Sequence, residues 1–233
     1  MKRSMIITGT RKGIGRAMAE HFLNRGWQVA GCSRKPSNLE HENYRHFELD
    51  VSDERAVSKM VRSVSRDNGS LDAVLNNAGI AAMNHLLLTP GKTVEKVFST
   101  NVAGTFFFMR EAGKVMSRRK KGCIVNFSTV AVPLNLDGEA SYAASKAAVE
   151  SLTKIGAKEL GDFGVRVNAI GPTPVYTDLI KLIPEGKIKE LIDRQAIKRL
   201  GEFRDILNVV EFYLSETSDF ITGQIVYLGG VNA

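Results

Sequence analysis

Two cysteines and four histidines are the only thiol and imidazole side chains in this 233-residue chain. None of them falls at a metal-site spacing, which argues against a structural zinc centre. Cys32 and Cys123 each lie in or beside an apolar, strand-like run. They read as buried free thiols of a reducing compartment, not as a disulfide pair. Long apolar runs are missing too, and no stretch approaches the ~20 residues that a membrane-spanning helix needs. Behind Lys2 and Arg3 only a few apolar residues precede Gly9, too few for a secretory signal core. A cytoplasmic protein with no membrane segment is expected. No linker, repeat or low-complexity segment is visible.

Positive charge is in excess, with 32 Lys and Arg against 25 Asp and Glu and a net charge of +7. A nucleic-acid groove would need continuous basic charge with exposed aromatics. Here the charges are scattered, and Phe106-Phe107-Phe108 falls in an apolar helical stretch, so no nucleic-acid partner is expected. The one tight basic run, Arg118-Arg119-Lys120-Lys121, ends a helical stretch, where cations complement the helix dipole. A helix cap is one reading of it; a docking patch for an acidic carrier or a phosphorylated substrate is the other.

What is present is a regular alternation. Strands are predicted at 4–8, 27–32, 44–49, 72–75, 122–128, 164–170 and 224–228. Helices are predicted at 14–25, 53–67, 92–119, 139–161 and 202–215. Such alternation implies an α/β fold, a doubly wound parallel sheet with helices on both faces. Residues 1–233 are of a length that one such domain can fill. The region 173–200, with Pro174 and Pro184 inside it and Pro172 just before, breaks the rhythm and reads as a flap.

The first strand runs into Thr8-Gly9-Thr10-Arg11-Lys12-Gly13-Ile14-Gly15 and then a helix. Glycines there let the backbone approach a pyrophosphate, and the helix N-terminus offers free N–H groups to it. A plain turn with a helix cap is the simpler alternative, but the position makes dinucleotide binding the better reading. The end of the second strand carries Ser33-Arg34-Lys35, with no acidic residue to take a ribose 2′-hydroxyl. Arg34 offers a planar fork for a 2′-phosphate and Ser33 a hydroxyl, with Arg11 and Lys12 adding charge. This favours NADP(H), unless these are simply solvated loop charges. Further on, Tyr142 and Lys146 stand one helical turn apart. A lysine so placed can lower a phenol's pKa toward usefulness as a general acid or base. Alone, the pair is equally a surface tyrosine beside a solvated lysine.

Taken together, the motifs resemble the short-chain dehydrogenase/reductase family over nearly the whole chain. They are Thr8-Gly9-x-x-x-Gly13-x-Gly15, Asp50-Val51, Asn76-Asn77-Ala78-Gly79, Asn101, Tyr142-x-x-x-Lys146, Asn168 to Pro172, Arg199-Leu200-Gly201-Glu202, Ile221-Thr222-Gly223-Gln224 and Gly229-Gly230. The resemblance implies that Gly9, Arg11, Lys12, Gly13, Ile14 and Gly15 border the pyrophosphate. It places Asp50 and Val51 at the adenine, and Asn77, Ala78 and Gly79 along the ribose. Pro172, Val175 and Thr177 would lie near the nicotinamide, and Asn76 would tie strands together. It makes Tyr142 the proton donor to a carbonyl. Lys146 would hold the nicotinamide ribose and depress the tyrosine pKa, and Asn101 would pin a relay water.

Two departures stand out. The family's catalytic serine position is held by Thr129, with Ser128 beside it as the alternative. Thr173-Pro174 replaces the glycine usual after the sixth strand. Within the family the look is nearest to 3-oxoacyl-[acyl-carrier-protein] reductases, although Phe163 stands where these often carry a basic residue. The reading is an NADPH-dependent reductase of a ketone or acyl thioester, with an acyl carrier protein as a possible partner. The resemblance also implies a dimer or tetramer. The alternative is a catalytically silent NADP(H)-binding regulatory protein.

Overall fold

The computed structural model describes residues 2–176 and 185–231. Seven strands form one parallel sheet: β1 (Ser4–Thr8), β2 (Gln28–Ser33), β3 (Tyr44–Glu48), β4 (Ala73–Asn76), β5 (Gly122–Phe127), β6 (Val165–Gly171) and β7 (Ile225–Tyr227). Their spatial order is β3-β2-β1-β4-β5-β6-β7. The order reverses between β1 and β4, which opens a crevice beyond the carboxyl ends of these strands, where such sheets bind ligands.

Strand alternation divides the core in two. Met5, Ile7, Leu75 and Val125 point to one face, under α1 (Gly13–Asn24) and α8 (Phe203–Leu214). Ile6, Val74, Ile124 and Val167 point to the other, under α2 (Glu54–Asp67), α4 (Gly104–Arg119) and α6 (Ala140–Gly161). Both faces are covered, so the inner strands β1, β2, β4, β5 and β6 are buried nearly throughout. The remaining helices are α3 (Gly91–Phe98), the short α5 (Ala131–Leu134) and α7 (Glu185–Asp193).

The stretch predicted as one helix over 92–119 is interrupted. Between α3 and α4, Ser99–Ala103 forms a wide π-type turn that holds Asn101 fully buried. The predicted flap holds α7 and is anchored at its ends by a bridge between Val175 and Gly201. Phe108 is buried in the core and Phe107 packs against it, but Phe106 turns outward and is 43% exposed. Both cysteines are buried and free, and burial pushes the Cys32 thiol up to about 12 and Cys123 to about 11.

Among the described residues, no helix is long and apolar enough to cross a membrane. No group of three or more His, Cys, Asp and Glu side chains assembles there as a metal site.

Candidate active site

The glycine loop leaves β1 at the crevice. Gly9 and Gly13 take positive φ of 79° and 62°, a region open to glycine. Gly15 is needed for space: a Cβ there would lie 2.3 Å from the Gly9 carbonyl and 2.6 Å from Asn77 Nδ2. Asn77 Nδ2 donates to the Thr8 carbonyl (2.8 Å), and the Ala78 N–H donates to Thr8 Oγ1 (2.8 Å). These bonds lock the end of β4 to the loop. The first turn of α1, Gly13-Ile14-Gly15-Arg16, carries no acidic side chain, so its N–H groups and dipole face the crevice uncompensated. A cradle that a Cβ would fill, in front of a helix N-terminus, fits a pyrophosphate.

Ser33 and Arg34 follow at the end of β2. The Ser33 hydroxyl donates to the Lys35 carbonyl (2.6 Å), which shapes the turn. Asp50 lies nearby. Burial alone would raise its carboxyl, but the Ser52 N–H and hydroxyl (2.9 and 2.7 Å) and the charges of Arg34 and Lys96 hold it below its usual range. Val51 is buried against Gly104, where a Cβ would come within 2.8 Å of its methyl.

The chemistry-bearing side chains meet at the ends of β4 and β5. Thr129, just past β5, receives the Ala131 N–H on its Oγ1 (3.2 Å) and sets its hydroxyl against the Tyr142 phenol, whose pKa it lowers. Ser128 points the other way, to Glu150, which also accepts from the Tyr227 hydroxyl (2.7 Å). The regular strand thus puts Thr129, not Ser128, beside Tyr142.

Lys146 Nζ is buried and donates to the Phe127 carbonyl (2.6 Å). Asn101 Oδ1 accepts from the Ile80 N–H (2.8 Å). Its Nδ2 donates to the Ile80 carbonyl (2.9 Å) and to Ser145 Oγ (3.0 Å). Lys146 and Asn101 converge on Gly79, where a Cβ would sit 3.3 Å from Nζ and 3.2 Å from Oδ1. Asn76 does tie strands, donating to Asn126 Oδ1 (2.8 Å).

One expectation is corrected. Burial pushes the Tyr142 phenol up to about 12; the Thr129 hydrogen bond lowers it only in part, and the Glu139 charge raises it further. Lys146, its ammonium turned to the Phe127 carbonyl, is not among the groups that lower it. Burial instead pulls Lys146 itself down to about 8.

Pro172, just past β6, accepts the Val130 N–H on its carbonyl (3.2 Å), and Val175 is buried. Thr177 lies outside the described residues. Thr173 is buried and packs on Gly201 and Gly229, where a Cβ would lie 2.8 Å from its side chain in each case.

A cleft of about 600 Å³ runs along α6 between Leu86, Val132, Leu136 and the Ala143–Ala147 face. Its walls do not include Thr129, Tyr142 or Lys146, so it borders the chemistry without containing it. Beside this cleft Leu87 and Leu88 stand 84% and 75% exposed. Sequence reasoning also missed Glu139, three residues before Tyr142, and the pair Tyr44 and His46 near Ser33. The alternation of Tyr44 and His46 along β3 was the available signal.

The family model described as enoyl-(acyl carrier protein) reductase matches residues 9–232. The chain is 32% identical to the 3-oxoacyl-[acyl-carrier-protein] reductase FabG of Staphylococcus aureus, over 99% of this chain and 98% of that protein. The chain belongs to the short-chain dehydrogenase/reductase family. It is an oxidoreductase of the short-chain type. Among solved structures, ElxO with NADP bound superposes with a TM-score of 0.91 at 31% identity, covering 99% of this chain and 98% of that one. NAD+-bound xylitol dehydrogenase superposes with a TM-score of 0.90 at 28% identity, covering 98% of each chain. Short-chain dehydrogenase/reductases thus present this architecture with either dinucleotide.

Proposed function

We propose that the protein reduces a ketone, such as a 3-oxoacyl thioester, to an alcohol with NADPH. The observation that carries this reading is the Thr129 hydroxyl set against the Tyr142 phenol beside the Lys146–Asn101–Gly79 cluster, at the same carboxyl end of the strands as the glycine loop. The cofactor supplies hydride to the carbonyl carbon. Gly9, Gly13, Ile14 and Gly15, with Arg11 and Lys12, hold the pyrophosphate. Ser33 and Arg34 take the 2′-phosphate, Asp50 and Val51 border the adenine, and Asn77, Ala78 and Gly79 line the ribose. Pro172, Val175 and Thr177 complete the nicotinamide end.

Tyr142 holds the proton to be given to the substrate oxygen. A phenol at about 12 is a retained proton at neutral pH, which suits a donor. Thr129, its oxygen oriented by the Ala131 N–H, offers its hydroxyl to the same substrate oxygen. Lys146, pulled to about 8, exchanges protons near neutrality and restores Tyr142. The basic run at 118–121 lies between the end of α4 and the start of β5, at the amino ends of the strands, opposite the end that carries Tyr142. Arg119 and Lys121 pair there with Asp72 and Glu216. Delivery by an acyl carrier protein therefore does not rest on that run. Pairing of chains into a dimer or tetramer, and a cytoplasmic setting consistent with the buried free thiols, belong to the same reading.

The test follows NADPH and NADH absorbance with acetoacetyl thioesters and a panel of ketones, wild type beside Tyr142→Phe. Turnover with NADPH that drops at least ~100-fold in the variant supports the reading. Tight NADPH binding with no turnover on any ketone would favour a silent binding protein instead.

A further inference from the structure

A hydrogen-bonded chain links the glycine loop to the end of β2 through β3. Thr10 Oγ1 lies 2.8 Å from the Tyr44 hydroxyl, which lies 2.9 Å from His46 Nδ1. On its other side, His46 Nε2 lies 3.1 Å from the Lys35 carbonyl and 3.1 Å from the Ser33 hydroxyl. A carbonyl only accepts, so Nε2 carries a proton. In the neutral ring Nδ1 then accepts from Tyr44, which accepts from Thr10. A second proton on Nδ1 reverses the direction, His46 donating to Tyr44 and Tyr44 to Thr10. Every member is satisfied in both arrangements, so protonation breaks no bond. Gly31 leaves room for this chain: a Cβ there would lie 2.3 Å from both Thr10 Oγ1 and the Tyr44 hydroxyl.

We propose that His46 is a specificity-determining residue for the 2′-phosphorylated dinucleotide, taking up a proton when NADP(H), but not NAD(H), binds. The proposal rests on the reading that Ser33 and Arg34 hold the 2′-phosphate. That group brings about −1.5 to −2 charge to the hydroxyl that His46 touches. A dianion so close favours the imidazolium. The titratable and charged groups around the ring are Tyr44 and Glu48 on β3, Cys32 on β2, Ser33-Arg34-Lys35 beyond it, and Arg16 of α1, which acts on Tyr44 through space. Of these Glu48 is the one carboxylate, with Asp50 beyond Arg34, and both are present with either cofactor. The difference between the two dinucleotides is therefore the phosphate itself. The phosphate's own second ionisation, near 6, opposes the effect but is the same in wild type and variant.

The experiment is calorimetric titration of NADP+ and NAD+ into wild type and His46→Gln, in buffers of different ionisation enthalpy near pH 7. It is paired with NMR titration of the wild-type imidazole Cε1–H signals, with and without each dinucleotide. Expected is a larger proton uptake with NADP+ in wild type than in His46→Gln, and no such difference with NAD+. The His46 titration should move to higher pH with NADP+ alone. NADP+ affinity relative to the variant should then gain roughly three- to tenfold between pH 8 and pH 6. Equal proton counts in the two proteins, or a His46 midpoint indifferent to NADP+, would overturn the proposal while leaving NADP(H) binding intact. Failure of both dinucleotides to bind folded protein would overturn the cofactor reading and the proposal together. Should His46→Gln not fold, the wild-type NMR titration alone decides.

Discussion

Thr129 sets its hydroxyl against the Tyr142 phenol, while its neighbour Ser128 bonds to Glu150 on the other side of the strand. Two adjacent hydroxyls therefore have separate duties. Thr129→Val is expected to lower kcat/KM roughly 100-fold, the scale of a lost donor at a developing oxyanion, and Thr129→Ser should retain most activity. Ser128→Ala should leave turnover within about twofold and lower stability by about 1–3 kcal/mol, because buried Glu150 loses a donor. Steady-state kinetics and urea unfolding on the three variants check this. Equal kinetic losses at both positions would sink the assignment.

Arg34 acts on Asp50 through space and follows Ser33 at the end of β2. Arg34→Asp should weaken NADPH binding by about 10- to 100-fold, the scale of a lost charge-assisted hydrogen bond. It should also narrow the gap to NADH by supplying an acceptor for a ribose 2′-hydroxyl. Dissociation constants from cofactor fluorescence measure both. An unchanged NADPH constant would show that the phosphate is held elsewhere.

Lys146 is a base whose folded pKa, about 8, lies below its unfolded value of 10.5. Between these values the unfolded chain binds more protons than the folded one, so this group makes stability rise with pH in that window. Below about pH 8 both states are protonated and the cost is constant. The difference in unfolding free energy, wild type minus Lys146→Met, should therefore rise by on the order of 3 kcal/mol from pH 8 to pH 10.5. Raised acids such as Tyr142 and Cys32 slope the other way in both proteins, and the difference largely removes them. A flat difference in chemical denaturation would show that Lys146 titrates normally.

Gly15→Ala would place a Cβ 2.3 Å from the Gly9 carbonyl, which is backbone and cannot swing aside. The loop must open, and NADPH affinity should fall at least ~10-fold. Gly26→Ala is the control for strain without function: its φ is +78°, but open space surrounds it. It should cost stability and leave affinity within about twofold. Equal affinity losses in both would mean that the cradle is not the binding element.

The seven strands were legible to within two residues at each end, the inner ones because buried parallel strands are apolar runs, and all because glycine or polar turns bound them. Thr129 was placed by the family's spacing to Tyr142, and alternation along the strand turns Ser128 to Glu150 on the other side. The π-type turn at Ser99–Ala103 was not legible: one widened turn leaves the apolar spacing of 92–119 intact. The Tyr142 pKa was misread for a similar reason. A spacing of four fixes where Lys146 leaves the helix, not where its ammonium ends, and that is set by the Phe127 carbonyl on another element. Tyr44 and His46 were visible as an alternating pair, but their partners, Thr10 and Ser33, come from two other segments.

Asn101 gives both its amide groups to the backbone of Ile80, as an adjoining strand would. Its remaining N–H reaches Ser145 on the helix that carries Tyr142. One side chain thus stands in for a missing rung of sheet and stitches the loop after β4, the helix break and the Tyr142 helix into a single piece. Loss of turnover in Asn101→Ala would then record a frame coming apart as much as a broken proton path. Proton-transfer defects at this residue become readable only in variants whose unfolding free energy matches that of the wild type.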